Sequence, residues 1–169
     1  MSRMPNTKID AAVRNCLECV YGQMMWLAKQ PDETPSLARA WYTHVWAGKF
    51  AGRVRHFTGK VFRAAAADSD ADLRLEHYLR IQTKLTKLVE RHLRSKRPAP
   101  AGFVRLVLEC ERVHIVTRDE NYAAMRADGD YRAAGIRLVS WGSLPEATRQ
   151  ALWKKMLRRR VANADEYKL

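Results

Sequence analysis

The chain has few cysteines, no long apolar run and, over long stretches, no acidic residues. Three cysteines among 169 residues cannot all pair, which argues against a disulfide framework. No apolar stretch approaches the roughly 20 residues that a membrane-spanning helix needs, and the first residues lack the unbroken apolar segment of a signal peptide. These absences predict a cytoplasmic protein with reduced thiols and no membrane partner.

The common catalytic signatures are missing as well. The sequence contains no glycine-rich phosphate loop, no nucleophile elbow and no His-Glu-x-x-His pair. Four histidines, His44, His56, His77 and His92, fall on predicted helices, where a lone histidine usually packs or caps. We therefore predict no cofactor and no bound metal, assign no catalytic residue, and favour a protein that is not an enzyme.

Positive charge is present in excess and is concentrated in three blocks. The formal net charge is +13 and the isoelectric point is near 10.1. Residues 34–67, 77–108 and 147–164 carry net charges of +6, +7 and +6, so the remainder of the chain is net −6. Charge of this size and regional distribution points to a nucleic acid as the partner.

Within these blocks the basic residues follow a helical spacing. In the first two blocks they recur at alternating intervals of four and three, which returns to one face of an α-helix. Like charges at such positions repel, so the pattern indicates a counter-charge from outside the chain. The predicted nucleic-acid-binding residues are Lys49, Arg53, His56, Lys60 and Arg63 in the first stripe, Arg80, Lys84, Lys87, Arg91 and Arg94 in the second, and Arg158, Arg159 and Arg160 in the third block.

The chemistry of these residues favours phosphate contacts. Arginine outnumbers lysine about two to one, and a guanidinium can donate two hydrogen bonds to one phosphate. The predicted mechanism is neutralisation of the nucleic-acid backbone, with RNA or single-stranded DNA favoured. A basic helical chain of this kind also fits a subunit of a larger nucleoprotein assembly. By analogy, the helical small subunits of CRISPR surveillance complexes are an example of that architecture.

Aromatic residues interleave with cations on one predicted helix face. Arg39, Tyr42, Trp46, Lys49 and Arg53 share that face, as in a platform on which single-stranded bases stack. The alternative is that the rings are half-buried against a neighbouring helix, and this alternative is favoured. The sequence therefore predicts phosphate contacts rather than base contacts.

Arg39 and His44 are separated by four residues. This spacing is similar to the R-x4-H motif of the helical HEPN ribonucleases, in which arginine and histidine near a dimer axis cut RNA. The resemblance implies a ribonuclease as one alternative function. A protein–protein adaptor that docks an acidic partner on its basic face is another.

Two metal sites can be considered. Cys16, Cys19, Cys110 and His114 supply the ligand types of a zinc site. If residues 103–117 form one strand, however, Cys110 and His114 stand about 13 Å apart, at roughly 3.3 Å per residue. Zinc binding is therefore not predicted, and Cys16 and Cys19 serve well as small buried side chains.

Carboxylates near a predicted strand raise a second possibility. Asp119 and Glu120 follow the strand, and Glu109 and Glu111 precede it, where a metal-dependent nuclease would hold divalent cations. The Glu-x-Lys element of a restriction-type nuclease core is missing. Helix capping explains Asp119 and Glu120 more simply, so this nuclease stays an alternative.

The predicted fold is mainly α, with an N-terminal helical bundle, a small C-terminal α/β element and a terminal basic helix. A first helix is expected from Asn6 or Thr7 to about Lys29, and a second begins at Pro35 with Leu37, Trp41 and Val45 facing inward. A third helix is expected over about 50–63. A fourth is expected over 70–95, where Ser69 and Asp72 form a capping box at its start. Tyr78 is among the residues expected to be buried on the helix over 70–95. The expected domains are residues 1–97 and 103–169, joined by a proline-containing linker at 98–102.

After the linker the pattern changes to short elements. Strands are predicted at 103–108, 113–117 and 136–141, with a helix from Asn121 to about Arg126. A helix opening at Ser143 and Glu146 is expected to run through Leu157 into the three arginines, with a frayed end after Val161. The role of residues 98–142 stays open.

Overall fold

The computed structural model describes residues 9–77 and 79–169 and shows a mainly α protein with a small α/β element, as predicted. The α-helices are α1 (Ala11–Leu27), α2 (Pro35–Ala40), α3 (Ala47–Val54), α4 (Arg63–Ala67), α5 (Ile81–Leu93), α6 (Pro100–Cys110), α7 (Arg118–Arg126) and α8 (Glu146–Leu152). The strands are β1 (His56–Phe62), β2 (Leu73–His77), β3 (Arg112–Thr117) and β4 (Leu138–Ser140). Two π-helical segments, Trp41–Trp46 and Trp153–Leu157, continue α2 and α8.

The chain forms two compact units that interleave along the sequence. The helical unit contains residues up to Val54 together with Arg80–Glu109, and the sheet unit contains Arg55–Leu79 and Cys110–Leu169. The boundary predicted at residues 98–102 does not coincide with this partition, because α5 and nearly all of α6 belong to the helical unit. The predicted capping residues Asn6 and Thr7, and Tyr78, lie outside the described residues.

The helical unit is built around an amphipathic α1. Asp10 caps its first turn, accepting a hydrogen bond from the amide of Ala12 at 2.6 Å. The apolar face of α1 is buried with the inner faces of α5 and α6, and Phe103 of α6 packs between Tyr21 and Tyr42. The core of this unit is Val13, Leu17, Val20, Tyr21, Met24, Met25, Ala28, Ala38, Tyr42, Phe50, Val54, Leu85, Leu88, Val89, Phe103, Val104 and Val107.

The helix that begins at Pro35 buries a different face from the one predicted. Thr34 caps it as expected, accepting a hydrogen bond from the amide of Leu37 at 3.2 Å. Leu37 and Val45, however, are 57% and 39% exposed, whereas Ala38 and Tyr42 are buried. The small Ala38 lets α2 pack closely on α5, and that contact sets the rotation of the helix.

Residues 103–108 form part of α6, so the strand predicted there is wrong. The β-branched residues suggested a strand, but Phe103, Val104, Val107 and Cys110 recur at helical spacing and all four are buried. Pro100 occupies the first helical position, where its missing amide costs nothing. Burial of one helical face outweighs the modest β preference of valine.

The sheet unit contains a mixed four-stranded sheet in the order β2-β3-β1-β4 within the described residues. β1 and β3 are parallel, while β2 and β4 join the sheet antiparallel to their neighbours. One face buries Phe57 and Val61 of β1 with Val113 and Ile115 of β3. Trp141 and the helical residues Leu152, Met156 and Leu157 complete this core.

Two predicted helices contain strands instead. In the helix expected at 50–63, Phe57 and Val61 are four residues apart, a spacing that places them on one face of a strand as well as of a helix. In the helix expected at 70–95, Leu73 and Leu75 alternate with charged residues and pair with β3. The predicted capping box at Ser69 and Asp72 therefore precedes β2, and only the second half of that region, α5, is helical.

The last residues pack on β1 rather than fray. Asn163 accepts a hydrogen bond from the amide of Phe57 at 2.9 Å and donates one to its carbonyl at 3.0 Å. The ring of Tyr167 lies edge-on to Phe57, with centroids 4.8 Å apart. This packing fixes the turn that follows Arg160. Across residues 9–77 and 79–169, no helix combines the length and apolarity that crossing a bilayer requires.

Candidate nucleic-acid interface

The second basic stripe forms one exposed face of α5. Lys84, Lys87 and Arg91 lie on this helix, Arg80 and Arg94 flank its two ends, and all five are exposed. The opposite face buries Leu85, Leu88 and Val89, because the apolar residues share the same helical period. We call these five basic residues the α5 face.

Few carboxylates compensate the α5 face. Lys84 forms an ion pair with Glu109 at 3.7 Å. Within the part of the chain that the structure describes, no ion pair is formed by Lys87, Arg91 or Arg94. Three cations on about 10 Å of helix, at 1.5 Å per residue, are thus available to an external anion.

The first basic stripe is divided by the start of β1. Lys49 and Arg53 are exposed on α3 in the helical unit, whereas His56 and Lys60 lie on β1 and Arg63 begins α4 in the sheet unit. Because a strand turns its side chains alternately, the four-three spacing does not hold on β1. Lys60 also donates a hydrogen bond to the hydroxyl of Ser140 at 2.7 Å. The continuous helical stripe predicted over 49–63 is therefore wrong.

The three arginines of the third basic block directly follow the second π-helical segment, which ends at Leu157, where the terminal helix was predicted to reach them. Arg158, Arg159 and Arg160 are all exposed. The Arg160 guanidinium donates to the carbonyl of Lys155 at 3.3 Å, whereas neither Arg158 nor Arg159 has a side-chain partner among the described residues. These two arginines line an open cavity of about 600 Å³.

The interleaved aromatic face is not a stacking platform. Tyr42 is fully buried and meets Phe103 edge-on at a centroid distance of 5.4 Å. Trp46 is half-buried and stacks on Phe50, and the Lys49 ammonium lies 4.5 Å from its ring centroid. The aromatic rings of this face support the helical core, as the favoured alternative held.

Arg39 and His44 are brought together through Thr43. The Arg39 guanidinium donates to the Thr43 hydroxyl at 3.3 Å, and that hydroxyl lies 3.1 Å from Nδ1 of the exposed His44. Arg39 and Thr43 are four residues apart, so one ordinary helical turn places them in contact, and His44 directly follows Thr43 in the sequence. The π-helical segment begins just after Arg39, at Trp41, and such segments are frequent at functional sites.

The candidate metal ligands do not assemble. In residues 9–77 and 79–169 no group of three or more histidine, cysteine or carboxylate side chains is arranged to hold an ion. Cys16 and Cys19 are exposed on α1, so the expectation that they are small buried side chains is wrong, while Cys110 is buried at the end of α6. Glu120 closes a capping box with Thr117 and accepts a hydrogen bond from the amide of Ala64. Capping therefore accounts for Glu120, as the simpler explanation held.

A buried ion cluster at the start of β3 was not foreseen. The Glu111 side chain is 4% exposed and binds Nε of Arg55 at 3.2 Å and Nε2 of His77 at 3.1 Å. Burial raises the pKa of the Glu111 carboxyl, but the hydrogen bonds and charges of His77 and Arg55 together bring its pKa below the ordinary value. No local signal pairs these residues, because 56 and 34 positions separate Glu111 from its partners.

The sheet unit also holds a neutral buried histidine. His114 of β3 is 6% exposed and lies among Thr58, Phe62 and Tyr131. Burial, followed by the positive charges of Arg112 and Lys60, lowers the pKa of His114 to about 4. At neutral pH this imidazole is uncharged and adds nothing to the positive surface.

The structure thus defines a mainly helical protein with a small mixed sheet, an exposed basic helix face and a basic cavity rim. No protein-family model, curated protein or solved structure matches the chain.

Proposed function

We propose that this protein binds nucleic acid through the phosphate backbone, without catalysis. The observation that carries the proposal is the α5 face, where five exposed cations follow one side of a helix and three of them, Lys87, Arg91 and Arg94, form no ion pair among the described residues. The exposed Arg158 and Arg159 add a second basic surface. A cytosolic location accords with three free thiols, and a place in a larger nucleoprotein assembly accords with so basic a surface.

The spacing of the α5 face suits a polyanion. Successive basic residues rise alternately by about 6 Å and 4.5 Å along the helix, so the five span about 21 Å. Each cation that neutralises a phosphate releases a condensed counterion, and the logarithm of affinity then falls with the logarithm of salt concentration by about 0.7 per contact on single strands and 0.9 on duplex DNA. No side chain of the α5 face needs to reach a base edge, so we expect little sequence preference.

The test replaces Lys87 and Arg91 with glutamate. Binding of fluorescently labelled single-stranded RNA, single-stranded DNA and duplexes is measured by anisotropy across a salt series. The double variant is expected to bind every partner more weakly and to lose about 1.4 to 1.8 from the salt slope, which corresponds to two phosphate contacts. An unchanged slope would show that the α5 face is an ordinary solvated surface.

A matched control separates local contacts from total charge. Arg14 and Lys29 are exposed in the helical unit but lie outside the three basic blocks. Their joint replacement with glutamate changes the net charge by the same four units. We expect the control variant to keep the salt slope of the original protein. If neither the original protein nor its variants bind nucleic acid, and an acidic protein is captured through the α5 face instead, the adaptor alternative is correct.

A ribonuclease is the second candidate, and the Arg39–Thr43–His44 contact favours it. A histidine can act as general base on the ribose 2′-hydroxyl, and a neighbouring guanidinium can stabilise the charge that develops on the phosphate. The Arg39 guanidinium contacts two hydroxyls, those of Thr43 and Ser36 at 3.3 Å each, and no carboxylate among the described residues. Its charge is thus not neutralised locally.

The two candidates are separated by incubating RNA and DNA of the same sequence with the protein and analysing the products. Attack by the 2′-hydroxyl requires RNA, so a ribonuclease would cut only the RNA strand and would leave a 2′,3′-cyclic phosphate. His44→Ala and Arg39→Lys should each abolish that cleavage, while Arg14→Lys, at an exposed position outside the three basic blocks, serves as the control. RNA recovered intact would leave binding as the function.

A further inference from the structure

We propose that the cavity beside Trp153 takes one unpaired nucleotide, with its base on the indole ring and its phosphate on Arg158 and Arg159. This inference rests on the proposed function and narrows it to single-stranded nucleic acid. The observations that carry it are the cavity, the ring in its wall and the surrounding cations.

The indole of Trp153 is held in place as one wall of the cavity. Its Nε1 donates a hydrogen bond to the carbonyl of Ala164 at 2.9 Å, and the side chain is half-buried against the core of the sheet unit. The Lys168 ammonium lies 5.9 Å from the ring centroid. A ring held by a hydrogen bond, with an exposed lysine beside it, offers a π face on which a base can stack by displacing that one side chain.

Backbone geometry fixes the two arginines at the rim. The amide of Arg158 donates to the carbonyl of Trp153 at 2.9 Å, five residues back, so the wide π turn ties Arg158 to the residue that carries the ring. Arg159 follows with φ of 60°, a left-handed conformation that is unusual for a side chain of this kind. Backbone strain of this type concentrates at binding sites.

Size and charge fit a nucleotide. The cavity of about 600 Å³ lies within the range of small-ligand sites. Its lining includes three cations, Arg158, Arg159 and Lys168, and one carboxylate, Asp165. An anion with an aromatic part satisfies both the ring and the excess positive charge, whereas an apolar ligand would leave the guanidinium groups uncompensated.

The same geometry selects against a duplex. In double-stranded nucleic acid both faces of each base are stacked within the helix, so a protein ring cannot reach them without unpairing. A free strand can turn a base outward onto an aromatic side chain, and such stacking is tolerant of sequence. The α5 face does not depend on stacking against an aromatic ring, so it binds single-stranded and double-stranded nucleic acid alike through phosphates.

The experiment compares three ligands of equal charge with the full chain: a deoxythymidine oligomer, the matched abasic oligomer and a hairpin duplex. The original protein is expected to bind the thymidine oligomer at least about fivefold more tightly than the abasic one. Trp153→Leu should remove this preference and leave duplex affinity within about twofold, while Trp153→Phe should retain part of it. Trp26→Leu, at a 63% exposed position on α1, is the matched control.

Each outcome decides one proposal. Equal affinity of the original protein for the thymidine and abasic oligomers overturns this inference, whether or not Trp153→Leu folds, and leaves backbone binding intact. A preference that survives in Trp153→Leu also overturns it. If the original protein binds none of the three ligands, the proposed function itself fails. Paired replacement of Arg158 and Arg159 with alanine should weaken binding of both oligomers, because it removes the phosphate contacts.

Discussion

The hydroxyl of Thr58 lies 2.6 Å from Nδ1 of His114, which joins β1 to β3 through a side-chain hydrogen bond on the face opposite the apolar core. The imidazole is buried among aromatic rings and two nearby cations, Arg112 and Lys60, disfavour its protonation. A histidine kept neutral in the folded state makes stability depend on pH.

We expect acid to destabilise the protein through His114. Its folded pKa of about 4 lies below the value of about 6.5 for a free histidine, so the unfolded chain binds a proton that the folded chain does not. The stability is fully present above pH 6.5 and is lost as the pH falls toward 4, by up to about 3 kcal/mol. Urea unfolding of the original protein and of His114→Asn across this range is the measurement. Identical pH dependence in the two would contradict it.

Removing the charge of Glu111 should weaken the sheet unit. Glu111→Gln leaves Arg55 and His77 without their buried carboxylate, and we expect a loss of about 2 to 3 kcal/mol in the free energy of unfolding. This is less than the roughly 3 to 5 kcal/mol of a fully buried pair because both partners are partly exposed. Glu109→Gln is the control. Its ion pair with Lys84 is exposed, so the loss should stay under about 1 kcal/mol. Equal losses of unfolding free energy in the two variants would show that the buried ion cluster of Glu111 stabilises the protein no more than an exposed ion pair does.

Arg159→Gly should separate stability from binding. Glycine adopts the left-handed conformation of Arg159 without strain, and the relief of about 1 to 2 kcal/mol exceeds the entropic cost of glycine in the unfolded chain. We expect a net gain of about 0.5 kcal/mol, measured by thermal unfolding, together with weaker binding of nucleic acid. Arg158→Gly, where φ is −53°, should destabilise instead. A loss of stability in both variants would rule out strain at Arg159.

The three thiols should react at two distinct rates. Cys16 and Cys19 are exposed on α1, whereas Cys110 is 1% exposed. With a chromogenic disulfide reagent we expect two thiols to react at once and the third only as the protein opens. The double variant Cys16→Ser, Cys19→Ser should retain only the slow reaction. A single fast phase for three thiols would contradict the burial of Cys110.

Local patterns were sufficient for the parts of the fold that lie within one element. The α5 face was predictable because charged and apolar residues share one helical period over Ile81–Leu93. The strand β3 was predictable from its β-branched run. The cap at Thr34 was predictable because a side-chain oxygen before Pro35 satisfies the first free amides.

Two features of the fold could not be predicted from local patterns: elements whose apolar spacing fits both a helix and a strand, and contacts between residues far apart in the sequence. Residues four apart, such as Phe57 and Val61, fit a strand and a helix equally, and only pairing with β3 decides between them. The partners of Glu111 are brought together by the register of β2 and β1 against β3, which no local pattern encodes. The cavity beside Trp153 leaves no signal in the sequence, because it forms only where the chain returns to the ring at Ala164.

The strand order has a consequence for how the protein is made. β3 lies between β1 and β2, which do not touch each other. During synthesis from the N-terminus β1 and β2 both leave the ribosome before their common partner at Arg112–Thr117 exists. A nascent chain that ends before β3 therefore holds two strands with open edges and no sheet, and the sheet can assemble only after β3 has emerged.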